Sequence, residues 1–172
     1  MPIEKKSLAP EDLVLHLNSK ANSYDISKYE DFLYELCGDW EFQIDAIRNI
    51  LRYYLSQAYA DSKQLLQENY QSNDKMKQLD KLDYFIRNLP FPYKLACTID
   101  LATGTGKSWI IYGVARILLA EGIINQVLVL CPSKTIKEEL FKKFNAFNEN
   151  SILTDALPRN SKILIPGLKH SD

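Results

Sequence analysis

A short glycine loop between an apolar run and a helical pattern constrains this chain more than any other stretch. Residues 95–101 form a candidate strand, residues 102–106 form the loop, and a helical pattern begins at Lys107. Gly104 and Gly106 can adopt backbone angles that other residues avoid, so that successive amide N–H groups point inward and form a nest for an anion. The following helix adds partial positive charge at its N-terminus. The sequence therefore predicts a strand–loop–helix unit that binds an anion.

Further apolar runs extend this pattern along the second half of the chain. Residues 127–130 are continuously apolar, as expected for a strand buried on both faces of a parallel sheet, and residues 162–165 form a third candidate strand. Helical patterns with apolar stripes separate the first two runs and follow the second. Short crossovers between such elements are typical of right-handed parallel units. We therefore expect an α/β fold with a parallel sheet and flanking helices.

The first half of the chain has a different pattern. Residues 1–93 contain a single glycine, Gly38, and read as successive amphipathic helices, which Pro90 and Pro92 bring to an end. This half carries 11 Lys and Arg against 15 Asp and Glu, whereas residues 94–172 carry 10 against 7. We predict a helical N-terminal region over residues 1–93 and the start of a nucleotide-binding domain over residues 94–172.

Composition excludes several classes of protein. The 172 residues are 46% apolar and 25% charged, as in ordinary globular domains. The longest apolar runs fall far short of the ~20 residues that a membrane span needs, which predicts no membrane partner. The formal net charge of −1 argues against a chain that is basic throughout. Three widely separated cysteines and two histidines form no zinc-ligand spacing, and they favour reduced thiols in a cytoplasmic protein.

The loop matches most of a known phosphate-binding pattern, G-x-x-x-x-G-K-[ST], with Leu101 in place of the first glycine. In that pattern the Lys107 ammonium reaches the β- and γ-phosphates of a nucleotide, and the Ser108 hydroxyl ligates Mg²⁺. The competing interpretation is a tight turn with a surface lysine and no ligand. We favour the phosphate-binding interpretation because the predicted strand and helix flank the loop on both sides.

Two motifs in this chain resemble those of superfamily 2 helicases and translocases. Residues 103–108 resemble their motif I, in which another residue often replaces the first glycine, and residues 127–136 resemble their motif Ia. The likeness is greatest to the restriction and helicase subunit of type III restriction enzymes, within the DEAD/DEAH-box-like family, and it covers residues 95–144. It implies a RecA-like domain, incomplete in this chain, that follows the helical region.

The resemblance also implies roles for individual residues. The triphosphate would be bound by the loop and the start of its helix, namely Thr103, Gly104, Thr105, Gly106, Lys107 and Ser108, with Lys107 and Ser108 as the catalytic pair and Ser108 on Mg²⁺. The motif Ia residues Pro132, Ser133 and Lys134 would meet the nucleic-acid backbone, and a hydroxyl, a cation and a helix N-terminus do make a phosphate site. For Ser133 and Thr135, ordinary helix capping is an equally good interpretation.

Gln43 is a further candidate from the same resemblance. Related enzymes carry an upstream glutamine that reads the adenine edge, and residues 43–47 fit its surroundings. Gln43 precedes Lys107 by 64 residues, so the intervening helices would be an insertion. The alternative is a solvated glutamine on a helix. Trp40 or Phe42 could stack on the base, although both could equally belong to the core.

The sequence after Ser108 lacks the acidic pair at a strand end that ATP hydrolysis requires. No apolar run after Ser108 ends in an Asp-Glu pair, and the arginines of a second RecA-like domain have no counterpart. We therefore expect the N-terminal, ATP-binding fragment of an ATP-dependent DNA translocase, the motor subunit of a restriction system. Its expected ligands are ATP and Mg²⁺, and its expected partners are double-stranded DNA and a modification or specificity subunit. The alternative is a small non-catalytic nucleotide-binding or regulatory module.

Overall fold

The computed structural model describes residues 14–157 and Gly167, and this part of the chain is helical. One turn of 3-10 helix, Ser27–Tyr29, precedes the second α-helix. The α-helices are α1 (Ser19–Asn22), α2 (Glu30–Cys37), α3 (Glu41–Leu55), α4 (Ser62–Ser72), α5 (Asp74–Leu79), α6 (Leu82–Asn88), α7 (Lys107–Ala120), α8 (Lys134–Glu149) and α9 (Ser151–Asp155). None of these helices is long and apolar enough to cross a membrane.

The predicted α/β fold with a parallel sheet is wrong for the described residues, which contain no strand. Residues 95–101 and 127–130 make no backbone ladder with each other, and residues 162–165 lie outside the described part of the chain. Leu128 and Leu130 are 82% and 83% exposed instead of buried on both faces. An apolar run supplies side chains for a sheet, but a strand also needs a neighbour that pairs with its N–H and C=O groups.

The chain divides into two compact units that are discontinuous in sequence. The first comprises Met1–Tyr24 and Arg52–Thr98, and the second comprises Asp25–Leu51 and Ile99–Asp172. The chain thus begins in the first unit, forms part of the second, returns to the first and then completes the second. The predicted division between residues 93 and 94 is a different one and stays a prediction.

Polar side chains tie the loops of the first unit to α4. The Asn69 amide accepts a hydrogen bond from the His16 backbone N–H at 2.8 Å and donates to its carbonyl at 3.0 Å. The Ser62 hydroxyl donates to the Lys94 carbonyl at 2.7 Å and accepts from the Ala96 N–H at 3.0 Å. These bonds satisfy backbone groups that have no partner in a helix or sheet. A small apolar cluster of Ala21, Tyr53, Tyr59 and Leu65 lies in the same unit.

The second unit has the larger apolar core, to which five helices contribute. Its fully buried side chains include Phe32 and Leu33 on α2, Ile44 and Ile47 on α3, Ile110 and Ile117 on α7, and Leu153 on α9, with Phe144 of α8 almost as buried. Helix α7 approaches α2 and α3 closely at Gly113. A Cβ atom there would lie 2.8 Å from Leu36 Cδ2 and 3.0 Å from Ile47 Cδ1, so a larger residue would make the ends of these two side chains shift.

An ion-pair cluster joins α2 to the first turns of α3. The Arg48 guanidinium contacts Glu30 at 2.6 Å, Glu41 at 2.7 Å and Asp45 at 2.9 Å. Gly38 ends α2 with a φ of 58°, which reverses the chain between the two helices. The turn at Gly38 places the start of α3, which carries Gln43, after the end of α2, and the cluster links the start of α2 to the middle of α3.

Candidate functional site

The glycine loop has the backbone geometry expected of an anion nest. Gly104 and Gly106 have φ values of 85° and 78°, a region that strongly favours glycine, and Gly106 is the N-cap of α7. The Thr105 hydroxyl donates to the Ala102 carbonyl at 2.7 Å, which closes the turn. The Lys107 ammonium donates to the same carbonyl at 2.8 Å. A neutral carbonyl thus holds this ammonium at the loop, and no carboxylate in the described part of the chain forms an ion pair with it.

Gln43 lies directly against this loop. Its side chain is buried, and its amide Nε2 donates a hydrogen bond to the Thr105 carbonyl at 2.5 Å. The long sequence gap between Gln43 and Lys107 is filled mainly by residues 52–98, which belong to the first unit. Gln43 and the loop both belong to the second unit, so they can meet despite their separation in sequence.

A cavity of about 280 Å³ opens beside the loop, within the second unit. This volume is near the lower end of the ~300–1,000 Å³ range of small-molecule sites. Its lining comes from the end of α2, the start of α3 and the loop with α7, and it includes Cys37, Trp40, Gln43, Gly106 and Trp109. Trp40 and Trp109 are the two tryptophans of the chain, so tryptophan fluorescence reports directly on this cavity.

The lining of the cavity is mainly apolar and carries no ionised thiol at neutral pH. Burial raises the pKa of the Cys37 thiol to about 12, which keeps it protonated. Trp40 is half exposed, and its ring lies 5.5 Å from that of Phe42 in a tilted arrangement. The cavity therefore offers aromatic faces and the Gln43 amide beside the loop, an arrangement suited to a flat ring with polar edges.

The Ser108 hydroxyl, the predicted Mg²⁺ ligand, is buried and contacts a second lysine. The Lys143 ammonium of α8 donates to Ser108 Oγ at 3.1 Å and lies 4.5 Å from the centre of the Trp109 ring. The described residues contain no group of three or more His, Cys, Asp or Glu that could hold a metal ion. Mg²⁺ prefers several oxygen ligands, so it fits at Ser108 only if the ammonium moves away. The predicted metal role of Ser108 stays a prediction.

The motif Ia residues lie at the start of α8. Pro132, Ser133 and Lys134 are exposed, and the Ser133 hydroxyl caps the helix by accepting a hydrogen bond from the Ile136 N–H at 3.3 Å. The helix begins at Lys134, so Ser133 is the capping residue in place of Thr135. Among the described residues, no hydrogen bond joins these three to the glycine loop. Their predicted contact with nucleic acid stays a prediction.

No local sequence signal marks Lys143 or Trp109 as part of the site. Lys143 precedes the buried Phe144 of α8, and Trp109 is the third residue of α7. Both positions are on the flanks of apolar stripes, where lysine and tryptophan are common without any special role. Their proximity depends on how two helices pack, and no local pattern in the sequence encodes that distance.

Comparison with known proteins identifies the family. Residues 41–164 match the family described as type III restriction enzyme, res subunit. No curated protein sequence and no solved structure shows a significant match. The matched range begins two residues before Gln43 and includes the loop, α7 and α8. The chain therefore belongs to the type III restriction enzyme res subunit family, whose function is helicase-like and ATP-dependent.

Proposed function

We propose that this chain binds ATP on the glycine loop, as the ATP-binding portion of a DNA helicase or translocase that serves as the motor subunit of a type III-like restriction system. The observation that supports the proposal is the loop itself, in which two glycines with positive φ lead into a 14-residue helix that begins with Lys107. Family membership supports the use of ATP and Mg²⁺ in general.

In this proposal the loop binds the phosphates of the nucleotide. The backbone N–H groups of residues 103–108 donate to phosphate oxygens, and the N-terminus of α7 adds its partial positive charge. The Lys107 ammonium exchanges the Ala102 carbonyl for the terminal phosphates, a stronger, charge-assisted partner. Mg²⁺, when bound, neutralises charge on the β- and γ-phosphates.

The adenine ring occupies the cavity beside Gln43 in the same proposal. Gln43 is already oriented by its bond to the Thr105 carbonyl, and its amide remains close to the loop glycines. Trp40 supplies a half-exposed aromatic face on the lining. A base and its phosphates would then lie on one continuous surface of the second unit.

We further propose that this chain binds ATP without hydrolysing it. Hydrolysis requires a carboxylate that orients water at the metal, and no apolar run after Ser108 ends in an Asp-Glu pair. Lys107 and Ser108 would act in catalysis in the complete enzyme, on double-stranded DNA and together with a modification or specificity subunit in the cytoplasm. The alternative, a small non-catalytic nucleotide-binding or regulatory module, shares the binding step and has no turnover in any context.

The test measures ADP binding to the full chain by titration calorimetry and by tryptophan fluorescence. Lys107→Ala removes a charge-assisted contact, so we expect its affinity to fall by about ten- to a hundredfold. Lys142→Ala, an exposed lysine on α8, is the matched control and should bind as the unmodified chain does. Equal affinities for all three proteins would refute the loop as the phosphate site, and sustained phosphate release from ATP that Lys107→Ala abolishes would refute binding without turnover.

A further inference from the structure

A second lysine lies beside the proposed phosphate site. The Lys143 ammonium of α8 donates to Ser108 Oγ at 3.1 Å, and it lies over the Trp109 ring at 4.5 Å. Both partners are in the first turn of α7, immediately after the glycine loop. The contact therefore brings a positive charge to the hydroxyl that the sequence pattern assigns to Mg²⁺.

Packing between α7 and α8 holds Lys143 in this position. The Tyr112 ring lies 5.4 Å from that of Phe144 and 4.8 Å from that of Phe147. The Tyr112 hydroxyl also donates to Asn148 Oδ1 at 2.7 Å. Tyr112 is one helical turn after Ser108, and Phe144 follows Lys143 directly. The contacts between these aromatic residues therefore fix the position of the Lys143 backbone relative to Ser108. The ammonium is thus preorganised at the loop, which lowers the entropy that a ligand contact would cost.

Neither lysine at this site has an acidic partner. Lys107 donates to the Ala102 carbonyl and Lys143 to the Ser108 hydroxyl, both neutral oxygens. Among residues 14–157, no carboxylate forms an ion pair with either ammonium. Two positive charges next to a loop of inward N–H groups attract an anion of high charge density. They also repel any further cation, such as Mg²⁺, at Ser108 Oγ.

We propose that Lys143 is a second cation of the phosphate site, which contacts the terminal phosphates of the nucleotide and takes the place of Mg²⁺ at Ser108. This inference rests on the proposed function and adds a binding residue to it. Its consequence is that the chain binds a nucleoside diphosphate without a divalent metal. Mg²⁺ then competes with the Lys143 ammonium for Ser108 Oγ, and losing that ammonium makes nucleotide binding dependent on Mg²⁺.

The experiment measures ADP affinity by titration calorimetry, once with EDTA and once with excess Mg²⁺. In EDTA the unmodified chain binds ADP, and Lys143→Gln binds it about ten- to a hundredfold more weakly because a charge-assisted contact is lost. Added Mg²⁺ restores most of the affinity of Lys143→Gln and changes that of the unmodified chain little. Lys143→Arg keeps the charge and retains binding in EDTA, and Lys142→Gln, one residue away and exposed, behaves as the unmodified chain does.

Several results would overturn the inference. Equal ADP affinities of the unmodified chain and Lys143→Gln in EDTA would show that Lys143 does not touch the phosphates. Equal losses in Lys142→Gln and Lys143→Gln would show an effect of net charge alone. If Lys143→Gln fails to fold, as judged by its helical circular dichroism, then metal-dependent binding by Lys143→Arg or by the unmodified chain would overturn it. If the unmodified chain binds no ADP with or without Mg²⁺, the proposed function fails as well. If Lys107→Ala loses ADP affinity while Lys143→Gln keeps it, only the role of Lys143 is refuted and the proposed function stands.

Discussion

Substitution of Gly106 by alanine tests the close packing of the loop against Gln43 and Trp109. Gly106 has a φ of 78°, and a Cβ atom there would lie 2.6 Å from Trp109 Cε3 and 2.9 Å from Cζ3. The same atom would also overlap the Gln43 amide nitrogen. The amide is the far end of a flexible side chain and can move, but the indole ring belongs to the first turn of α7 and cannot move as easily.

The expected cost of Gly106→Ala has two parts. An alanine in a left-handed conformation costs ~1–2 kcal/mol, and overpacking against the ring costs a further ~1–3 kcal/mol. The free energy of unfolding of the second unit should therefore fall by roughly 2–5 kcal/mol, a large part of the ~5–15 kcal/mol that a domain has. Gly104→Ala is the matched control because its φ is 85° but no atom lies within 4 Å of the added Cβ. It should lose only the ~1–2 kcal/mol of the backbone cost.

Urea unfolding followed by tryptophan fluorescence measures this difference. Both tryptophans belong to the second unit, so the signal follows that unit separately from the first. A larger loss for Gly106→Ala than for Gly104→Ala, with equal dependence on urea, supports the packing described here. A loss for Gly104→Ala that equals or exceeds that for Gly106→Ala would refute it, since only the backbone cost is common to both.

Two further predictions concern charges away from the loop. Burial alone would raise the pKa of Glu121, but hydrogen bonds from Lys28 and Tyr29 lower this pKa below its usual value. The carboxylate therefore stabilises the fold at a pH above its pKa in the unfolded chain. This stabilisation is lost as the pH falls through its pKa in the folded chain. Lowering the pH below about 4.5 should therefore reduce the free energy of unfolding of the unmodified chain more than that of Glu121→Gln. Identical dependences of this free energy on pH in the two proteins would contradict the prediction. DNA binding by the chain should be weak, independent of sequence and strongly weakened between about 50 and about 200 mM salt, with Lys134→Ala weaker still in fluorescence polarisation. Tight, sequence-selective binding at about 150 mM salt would contradict a simple phosphate contact at Lys134.

Local signals in the sequence predicted several helices well. Helix α7 begins at Lys107 directly after the glycine loop, and α2 ends at Gly38, as its positive φ allows. Ser133, one of the two predicted capping residues, caps α8 by accepting a hydrogen bond from the Ile136 N–H. Such features succeed because a cap or a left-handed glycine acts within a few residues of its own position.

The strands over residues 95–101 and 127–130 were predicted wrongly because a strand depends on distant partners. The run over residues 127–130 has the composition of a buried strand, yet Leu128 and Leu130 are exposed. Apolar composition describes what a segment can bury, whereas a sheet exists only where another segment supplies the hydrogen bonds. No periodicity within the run contains that information, so the fold class could not follow from it.

The glycine loop, its helix and the Lys107–Ser108 pair can be identified from the sequence alone. These motifs also predict the likeness to a restriction-enzyme family, which the family match over residues 41–164 confirms. The folded structure adds the contact of Gln43 with the Thr105 carbonyl, 62 residues away, and the contact of Lys143 with Ser108, 35 residues away. Turn geometry and phosphate binding depend on residues that are neighbours in sequence, so a short motif predicts them. Contacts between distant residues depend on how helices pack, and the packing exists only in the folded chain.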